Sequence, residues 1–262
     1  MSKLASKDKF LDFSDYGRFA GNQIANALKN TRFTPIHVTL LFGVSGLVAI
    51  YCILTNHYYL ACFFIILKSI IDAADGELAR IKSIPSYTGR YLDSLFDIVL
   101  NFFILTAICS VSDSSFQAAL LAFFCIQLQG TLYNYYYVIL RTKSVGGDKT
   151  SKIFETKTPK ALAGEKQKWV TLLFQIYTVV YGGFDKIIYK LDRNASKLST
   201  FPNWFMTLVS LYGLGFQLLL ICVMLLFNWI EFIIPFFIVY SLLIPILIII
   251  RKVYIIPKAY II

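Results

Sequence analysis

Long apolar runs are the feature that most constrains how this chain can fold. A transmembrane α-helix needs about 20 predominantly apolar residues, and runs near that length recur through the sequence. Only 15% of the residues are charged, whereas a soluble domain carries about 25%. The sequence therefore predicts an all-α integral membrane protein with six transmembrane helices. The predicted spans are Val38–Thr55, Tyr58–Ile71 (continuing into polar sequence), Tyr91–Ile108, Phe116–Leu140, Trp204–Phe227 and Ile230–Ile250.

Positive charge predicts the orientation of these helices. In a six-span arrangement 24 of the 25 Lys and Arg residues fall on one side, and cytoplasmic loops carry such an excess. Both termini are therefore predicted to be cytoplasmic. The predicted divisions are an N-terminal segment 1–37, the first four spans in 38–140, a cytoplasmic loop 141–203, and the last two spans with a short tail in 204–262. Within the loop, the 15 residues Trp169–Gly183 are apolar but short, which predicts a helix at the cytoplasmic interface.

The segment before the first span has the spacing of an amphipathic helix. Two interpretations stay open: a helix lying along the membrane surface, or an arm packed on the cytoplasmic loops. The apolar positions are Phe10, Phe13, Gly17, Ala20, Ile24 and Leu28.

Charge and cysteine content exclude other classes of protein. The net charge of +10 could attract nucleic acid, but beside so many apolar runs it favours a membrane with anionic lipid. All five cysteines lie inside apolar runs, so they predict small buried side chains and neither disulfides nor a metal site.

Four aspartates flank the break between the second and third spans. Asp72 and Asp75 are three residues apart, and Asp93 and Asp97 are four apart, so each pair shares one face of a helix. Pro85 and Gly89 break the chain between them, which lets the two helices run antiparallel and brings the pairs together. Four carboxylates need cations to lie close at neutral pH, and Mg²⁺ or Mn²⁺ with a phosphate ligand satisfies that need.

The segment 72–97 resembles the signature of the CDP-alcohol phosphatidyltransferase family. The family pattern is D-x2-D-G-x2-A-R-x8-G-x3-D-x3-D, and this chain has the required residue at every fixed position. These positions are Asp72, Asp75, Gly76, Ala79, Arg80, Gly89, Asp93 and Asp97. Ahead of the motif, 34–39 resembles the family's T-P-N-x-(aliphatic)-T stretch beside the nucleotide, with Ile36 in place of the usual Asn.

The resemblance implies an enzyme of phospholipid synthesis that transfers a substituted phosphate group from a CDP-alcohol to an acceptor hydroxyl and releases CMP. It implies two divalent cations, Mg²⁺ or Mn²⁺, held by the four aspartates, and Asp97 as the base that deprotonates the acceptor. It also suggests a homodimer. The residues implied to contact the CDP moiety are Gly76, Ala79, Arg80, Ser86 and Gly89.

The substrates are predicted less directly. Gly89-Arg90 and Asp93-Ser94 stand where the cholinephosphotransferase branch tends to have Gly-Glu and Asp-His, which favours CDP-diacylglycerol as donor to a small polar alcohol. CDP-choline or CDP-ethanolamine with a lipid acceptor is the alternative, and a cation-coupled transporter is a distant third. The membrane would be the plasma membrane of a bacterium or an endomembrane of a eukaryote.

Further polar residues near the spans have weaker assignments. Arg141, Lys143 and Arg251 could form an anion pocket for a phosphorylated acceptor, although basic residues at these ends also follow from orientation alone. Lys68 is expected to extend its ammonium to the cytoplasmic surface. Three polar residues of the fourth span are expected to make hydrogen bonds between helices, and the alternative is that they line the active-site cavity; they are Gln127, Gln129 and Asn134.

Overall fold

The computed structural model describes residues 4, 8–143, 155, 157–198 and 200–255, and in these residues the fold is all-helical. Two short 3-10 helices, Phe13–Asp15 and Arg193–Lys197, accompany the α-helices. The α-helices are α1 (Arg18–Leu28), α2 (Pro35–Leu54), α3 (Tyr58–Ile81), α4 (Tyr87–Ser110), α5 (Phe116–Lys143), α6 (Gln167–Leu191), α7 (Asn203–Ser210), α8 (Leu214–Leu226), α9 (Ile230–Tyr240) and α10 (Leu243–Tyr254).

Four to five helical segments are long and apolar enough to cross a membrane. They are α2, α4, α5, the continuous stretch α9–α10, and the pair α7–α8 if its 47° bend interrupts a single span. The second predicted span, α3, is absent from this set because Lys68 and the acidic motif, which fills almost three turns at its end, give it too many charged residues. Length and hydropathy therefore support a membrane protein with fewer unambiguous spans than the six that the sequence predicts.

The largest apolar cluster lies at the end of the helices remote from the motif and joins α2, α3, α4, α5, α8 and α9. Cys62 of α3 and Cys222 of α8 lie in this cluster, where each thiol contacts the other's backbone carbonyl. All five cysteines are free, which confirms the prediction that they form no disulfide. Packing at this end fixes the directions of α3 and α4, whose opposite ends carry the aspartates.

The turn between α3 and α4 brings the two halves of the motif together. Ser83 adopts a left-handed conformation with φ of 54°, and Ser86 caps α4 by accepting a hydrogen bond from the backbone N–H of Gly89 at 2.8 Å. A serine at this position satisfies an otherwise unpaired donor of the first turn. Five residues thus suffice to reverse the chain between the two helices.

The N-terminal segment forms a helix that packs on α3. A Cβ atom at Gly21 would lie 2.9 Å from the backbone nitrogen of Ala74, and one at Gly17 would lie 3.0 Å from the carbonyl oxygen of Ser69. The absence of side chains at these two positions therefore allows α1 to approach the motif half of α3. Phe19, on the opposite face of α1, is 78% exposed.

The apolar stretch in the long loop belongs to a helix longer than the sequence predicts. Helix α6 runs from Gln167 to Leu191 and is not among the candidate spans. It crosses α4, where the Tyr181 hydroxyl donates to the Ser94 carbonyl at 2.9 Å, and then α5, where Phe184 contacts Phe124. Its predicted position at the membrane interface stays a prediction.

Just before α1, the 3-10 helix Phe13–Asp15 lies in the bend between α7 and α8. The backbone N–H of Phe13 donates to Ser210 Oγ at 3.1 Å. A Cβ atom at Gly215 would overlap the carbonyl oxygen of Ser14, and one at Gly213 would overlap the Ser14 side chain. Two glycines in the bend thus admit the N-terminal segment, which covers the cavity described below.

We expect Gly215→Ala to displace this N-terminal segment, because the new methyl group meets a backbone atom that cannot rotate away. Overpacking of this kind costs about 1–3 kcal/mol, so the midpoint of thermal unfolding should fall and protease should cut the segment faster. The control is Gly183→Ala in α6, where nothing lies within 4 Å of the added atom and alanine stabilises a helix by up to about 1 kcal/mol. An equal thermal unfolding midpoint and an equal rate of proteolysis in the two variants would contradict the expectation.

Candidate active site

The motif lines a cavity of about 390 Å³. Residues of α3, α4, α5, α6 and the start of α8 form its walls, and residues 12–18 of the N-terminal segment cover it. All four motif aspartates and Gly76 face this space. The acidic cluster predicted from the sequence therefore lies in a partly open cavity, and its volume is within the range usual for a small-molecule pocket, about 300–1,000 Å³.

Three of the four aspartates form a group suited to one metal ion. Carboxylate oxygens of Asp72, Asp75 and Asp93 lie within 4.8 Å of one another. Thr39 of α2 donates a hydrogen bond of 2.6 Å to Asp75 Oδ2, which orients that carboxylate. Asp93 Oδ1 is buried and accepts no hydrogen bond from the described residues. An unpaired carboxylate oxygen beside two others fits a hard divalent cation, which prefers oxygen ligands.

Asp97 makes a different contact. Its carboxylate pairs with the ammonium of Lys68 on α3, which also lies 5.2 Å from the centre of the Phe42 ring. Lys68 is fully buried, so the expectation that it reaches the surface is wrong. It lies one turn before Asp72 and faces α4, and a buried ammonium is stabilised by the nearest carboxylate. The metal group among the described residues therefore omits Asp97, although Asp97 lines the same cavity.

Arg80 interacts with Glu77, a residue that the sequence analysis did not single out. Its Nη2 atom lies 2.7 Å from Glu77 Oε1, and Arg18 of the N-terminal segment lies 3.5 Å from the same oxygen. Glu77 is 3% exposed, so this carboxylate orients both guanidinium groups. The terminal guanidinium nitrogens of Arg80 lie 3.7 Å from the position that a Cβ atom on Gly76 would occupy. Arg80 is therefore next to the backbone that is expected to contact the nucleotide.

The other residues implied for CDP binding lie at the start of α4 or on α3, outside the cavity lining. Ser86 and Gly89 form the cap of α4, and Ala79 is half-buried on α3. Glu165 from the long loop accepts hydrogen bonds from the Ser86 hydroxyl at 2.8 Å and the Thr88 backbone at 2.6 Å. Burial raises the pKa of Glu165, but the hydrogen bonds from Thr88 and Ser86 outweigh it and hold the pKa below its usual value.

The predicted anion pocket is not assembled as one group. Arg141 lines the cavity, whereas Arg251 is buried elsewhere in an ion pair with Asp192, which also accepts a hydrogen bond from Tyr136. The side chain of Lys143 lies outside the described residues. Arg251 is unavailable to an acceptor in the cavity because Asp192, itself fully buried, needs a cationic partner.

Helix α6 contributes residues that sequence reasoning missed. Tyr177, Tyr181 and Asp185 line the cavity, and their spacing of four residues places them on one helix face. This spacing was the available signal. Nearby, Glu155 of the long loop pairs with Arg90 and accepts a hydrogen bond of 2.6 Å from Tyr91. Helix α6 is thus part of the site wall, and Glu155 and Glu165 of the long loop contact the start of α4 beside it.

A carboxylate cluster in a partly open cavity at the ends of apolar helices has the chemistry to hold a cation beside a phosphorylated ligand. The sequence profile of the CDP-alcohol phosphatidyltransferase family matches residues 32–192, more than half of the chain, and the protein belongs to this family. It is therefore a transferase of substituted phosphate groups that acts in phospholipid synthesis. No match was found among curated proteins or solved structures.

We expect Thr39→Val to weaken divalent cation binding by about tenfold, since residues that orient a metal ligand typically matter by that amount. The loss arises because Asp75 Oδ2 no longer accepts the threonine hydrogen bond. Titration of Mn²⁺ against purified protein, with free Mn²⁺ measured by electron paramagnetic resonance, gives the affinity. Thr39→Ser keeps the hydroxyl and should bind like the wild type, so equal loss in both variants would refute the role of this hydrogen bond.

Lys68→Met should have the opposite effect on cation binding. Removing a buried positive charge beside Asp97 leaves that carboxylate unpaired, and Coulomb attraction in a partly desolvated site should then raise Mn²⁺ affinity by about tenfold or more. Lys68→Arg retains the charge and should leave the affinity close to that of the wild type. Unchanged Mn²⁺ binding in Lys68→Met would mean that the ammonium does not compete with cations for the site.

Proposed function

We propose that the protein transfers a phosphatidyl group from CDP-diacylglycerol to a small polar alcohol and releases CMP, in a metal-dependent reaction. The observation that carries this proposal is the cavity in which three converging carboxylates and Asp97 meet on two adjacent helices. The first group fits a cation that would bind the donor pyrophosphate. The fourth carboxylate has a separate position, which suits a base.

We infer that two divalent cations, Mg²⁺ or Mn²⁺, serve the reaction. Asp72, Asp75 and Asp93 would hold the first, and Asp97, whose carboxylate also pairs with Lys68, would contribute to the second. When bound, such ions neutralise the pyrophosphate and stabilise the departing CMP. The buried, unpaired Asp93 oxygen supports this assignment within the described residues.

The protein's own residues would position the reactants. Arg80 and the open backbone at Gly76 would hold the CDP moiety, and Ala79, Ser86 and Gly89 would shape the adjoining helix ends. Asp97 would accept the proton of the acceptor hydroxyl. As it does so, the oxygen of that hydroxyl would form a bond to the phosphorus of the lipid phosphate. The bond from that phosphorus to the CMP oxygen then breaks. Most of the rate enhancement would come from orientation and charge stabilisation.

The donor assignment rests on the motif's variable positions. Arg90 and Ser94 differ from the residues usual in the cholinephosphotransferase branch, so CDP-choline or CDP-ethanolamine with a lipid acceptor is the second candidate. A cation-coupled transporter is disfavoured because the carboxylates lie at one end of α3 and α4, whereas transporter sites lie near the middle of the bilayer.

We further propose six transmembrane segments with both termini cytoplasmic, in the plasma membrane of a bacterium or an endomembrane of a eukaryote. Helix α3 would be the second, α7–α8 the fifth and α9–α10 the sixth. Contacts at both ends of the helices support this alternating direction of the spans. At one end Glu231 accepts a hydrogen bond from the Asp113 backbone N–H, and at the other end Arg251 forms an ion pair with Asp192. A homodimer remains part of the proposal.

The proposed reaction predicts metal-dependent CMP release. Purified protein in detergent micelles with Mg²⁺ or Mn²⁺ should release CMP from CDP-diacylglycerol and an acceptor alcohol, and not from CDP-choline or CDP-ethanolamine with diacylglycerol. Asp97→Asn should lower kcat by about 10²–10⁴-fold, the contribution usual for a general base.

The matched control is Asp113→Asn, because Asp113 is exposed in the loop between α4 and α5 and should not affect turnover. CMP release from the choline donor alone would favour the second candidate. No release from any donor, with Mn²⁺ still bound, would reject the enzymatic proposal for this chain.

A further inference from the structure

A stripe of small and polar residues runs along α5 and faces the cavity. Each member lies three or four residues from at least one other, so they share one face of the helix. They are Gln127, Gly130, Thr131, Asn134, Tyr137 and Arg141. Across the cavity, α4 presents Asp93, Asp97 and Asn101 at intervals of four residues. The cavity therefore extends from the carboxylates along two opposed polar helix faces.

The two glutamines of α5 have different surroundings. Gln129 donates to the Phe237 carbonyl at 3.1 Å and to Ser241 Oγ at 2.7 Å, and it accepts from Gln217 at 2.9 Å. This residue makes the predicted hydrogen bonds between helices. Gln127 is instead buried, lines the cavity, and its Nε2 atom has no hydrogen-bond partner in the described part of the chain. The expectation of an interhelical role therefore fails for Gln127.

Asn101 supplies the complementary group. It follows Asp97 by one turn, is 6% exposed, and its Oδ1 atom has no partner among the residues described. Phe102 of α4 contacts Phe123 of α5, with ring centres 5.4 Å apart. Asn101 precedes Phe102, Gln127 lies about one turn after Phe123, and both residues line the cavity. We call Asn101, Gln127, Gly130 and Thr131 the amide pocket.

The two unpaired atoms of the amide pocket, the acceptor Asn101 Oδ1 and the donor Gln127 Nε2, can both bind one hydroxyl group. An alcohol O–H can donate to Asn101 Oδ1 while its oxygen accepts from Gln127 Nε2. Leaving either buried atom unpaired costs about 1–3 kcal/mol, which a bound hydroxyl would relieve. Nothing lies within 4 Å of a Cβ placed on Gly130, so the pocket has room for more than the hydroxyl itself.

The charge of the amide pocket limits what it can bind. All four of its residues are neutral, and Asp97, one turn before Asn101 on α4, pairs with Lys68 of α3. A phosphate, carboxylate or ammonium group placed here would be buried without a partner, which is unfavourable by several kcal/mol. A neutral ligand with several hydroxyl groups meets no such penalty.

We propose that the amide pocket binds the non-reacting hydroxyls of a neutral polyol, which is the acceptor alcohol of the reaction. The inference rests on the proposed function, since it places one hydroxyl of the polyol beside Asp97 and another between Asn101 and Gln127. Residues four apart on α4, such as Asp97 and Asn101, are separated by about 6 Å along the helix axis, since each residue adds about 1.5 Å. That separation suits two hydroxyls on one small carbon skeleton.

The test compares acceptors and variants by both turnover and binding. CMP release is measured at saturating CDP-diacylglycerol with myo-inositol (neutral, six hydroxyls), glycerol 3-phosphate (anionic) and serine (zwitterionic). Gln127→Leu and Asn101→Leu remove the hydrogen-bonding groups, and Gly130→Val fills the open space. The control is Gln117→Leu, the same substitution on the same helix at an exposed position. Polyol binding without donor is followed by the rise in thermal unfolding midpoint.

We expect wild type and Gln117→Leu to prefer the neutral polyol. Gln127→Leu and Asn101→Leu should each raise its KM by about tenfold, the effect of one lost hydrogen bond to a buried group, while Mn²⁺ affinity stays unchanged. The polyol should stabilise the wild type and not Gly130→Val. The proposal would be overturned if the KM for the polyol were unchanged in both Leu variants. It would also be overturned if the wild type preferred either charged acceptor. Polyol-dependent stabilisation without CMP release from any donor would support the pocket and reject the proposed reaction.

Discussion

Negative charge gathered where two apolar helices end is the constraint on which the rest of this structure depends. Asp72, Asp75, Asp93 and Asp97 face one cavity, and carboxylates this close cannot all ionise without compensation. The chain provides part of that compensation through Lys68, which is buried against Asp97. A divalent cation at the other three would provide the remainder. The family's chemistry uses this demand, because a pyrophosphate can bind only where cations outweigh the carboxylates.

The same constraint explains the surroundings of the site. Glu77 adds a buried carboxylate on α3, and it is stabilised by two guanidinium groups, those of Arg80 and Arg18. Since Arg18 comes from the N-terminal segment, docking of that segment is coupled to the charge balance of the motif helix. The glycines at positions 17, 21, 213 and 215 allow the backbone to approach closely enough for this docking. The cover of the cavity is thus held by packing on one side and by an ion pair on the other.

Sequence patterns predicted the parts of the site that depend on spacing within a helix. The intervals between the aspartates predicted which faces they share, and the break at Pro85 and Gly89 predicted that the two helices meet. The cap formed by Ser86 was not predicted, and Gly89 lies within the first turn of α4 and not in the break. The direction of Lys68 was mispredicted because an apolar helix gives no sign of which neighbour its charged residue faces. Arg251 could not be assigned either, since its partner Asp192 is 59 residues away in the sequence. Such pairings are set by tertiary packing and have no local signature.

The two glutamines of α5 show how far composition can mislead inside a membrane protein. A polar residue in an apolar helix is expected to bond to a neighbouring helix, and Gln129 does so with α9 and with Ser241. Gln127 lies only two residues earlier, which rotates it by about 200° around the helix axis and turns it toward the cavity. Helix rotation, and not residue type, therefore separates a structural glutamine from one available to a ligand. Because α4 holds Asp97 and Asn101 on the opposing face, the same rotation aligns Gln127 with the reacting end of the site.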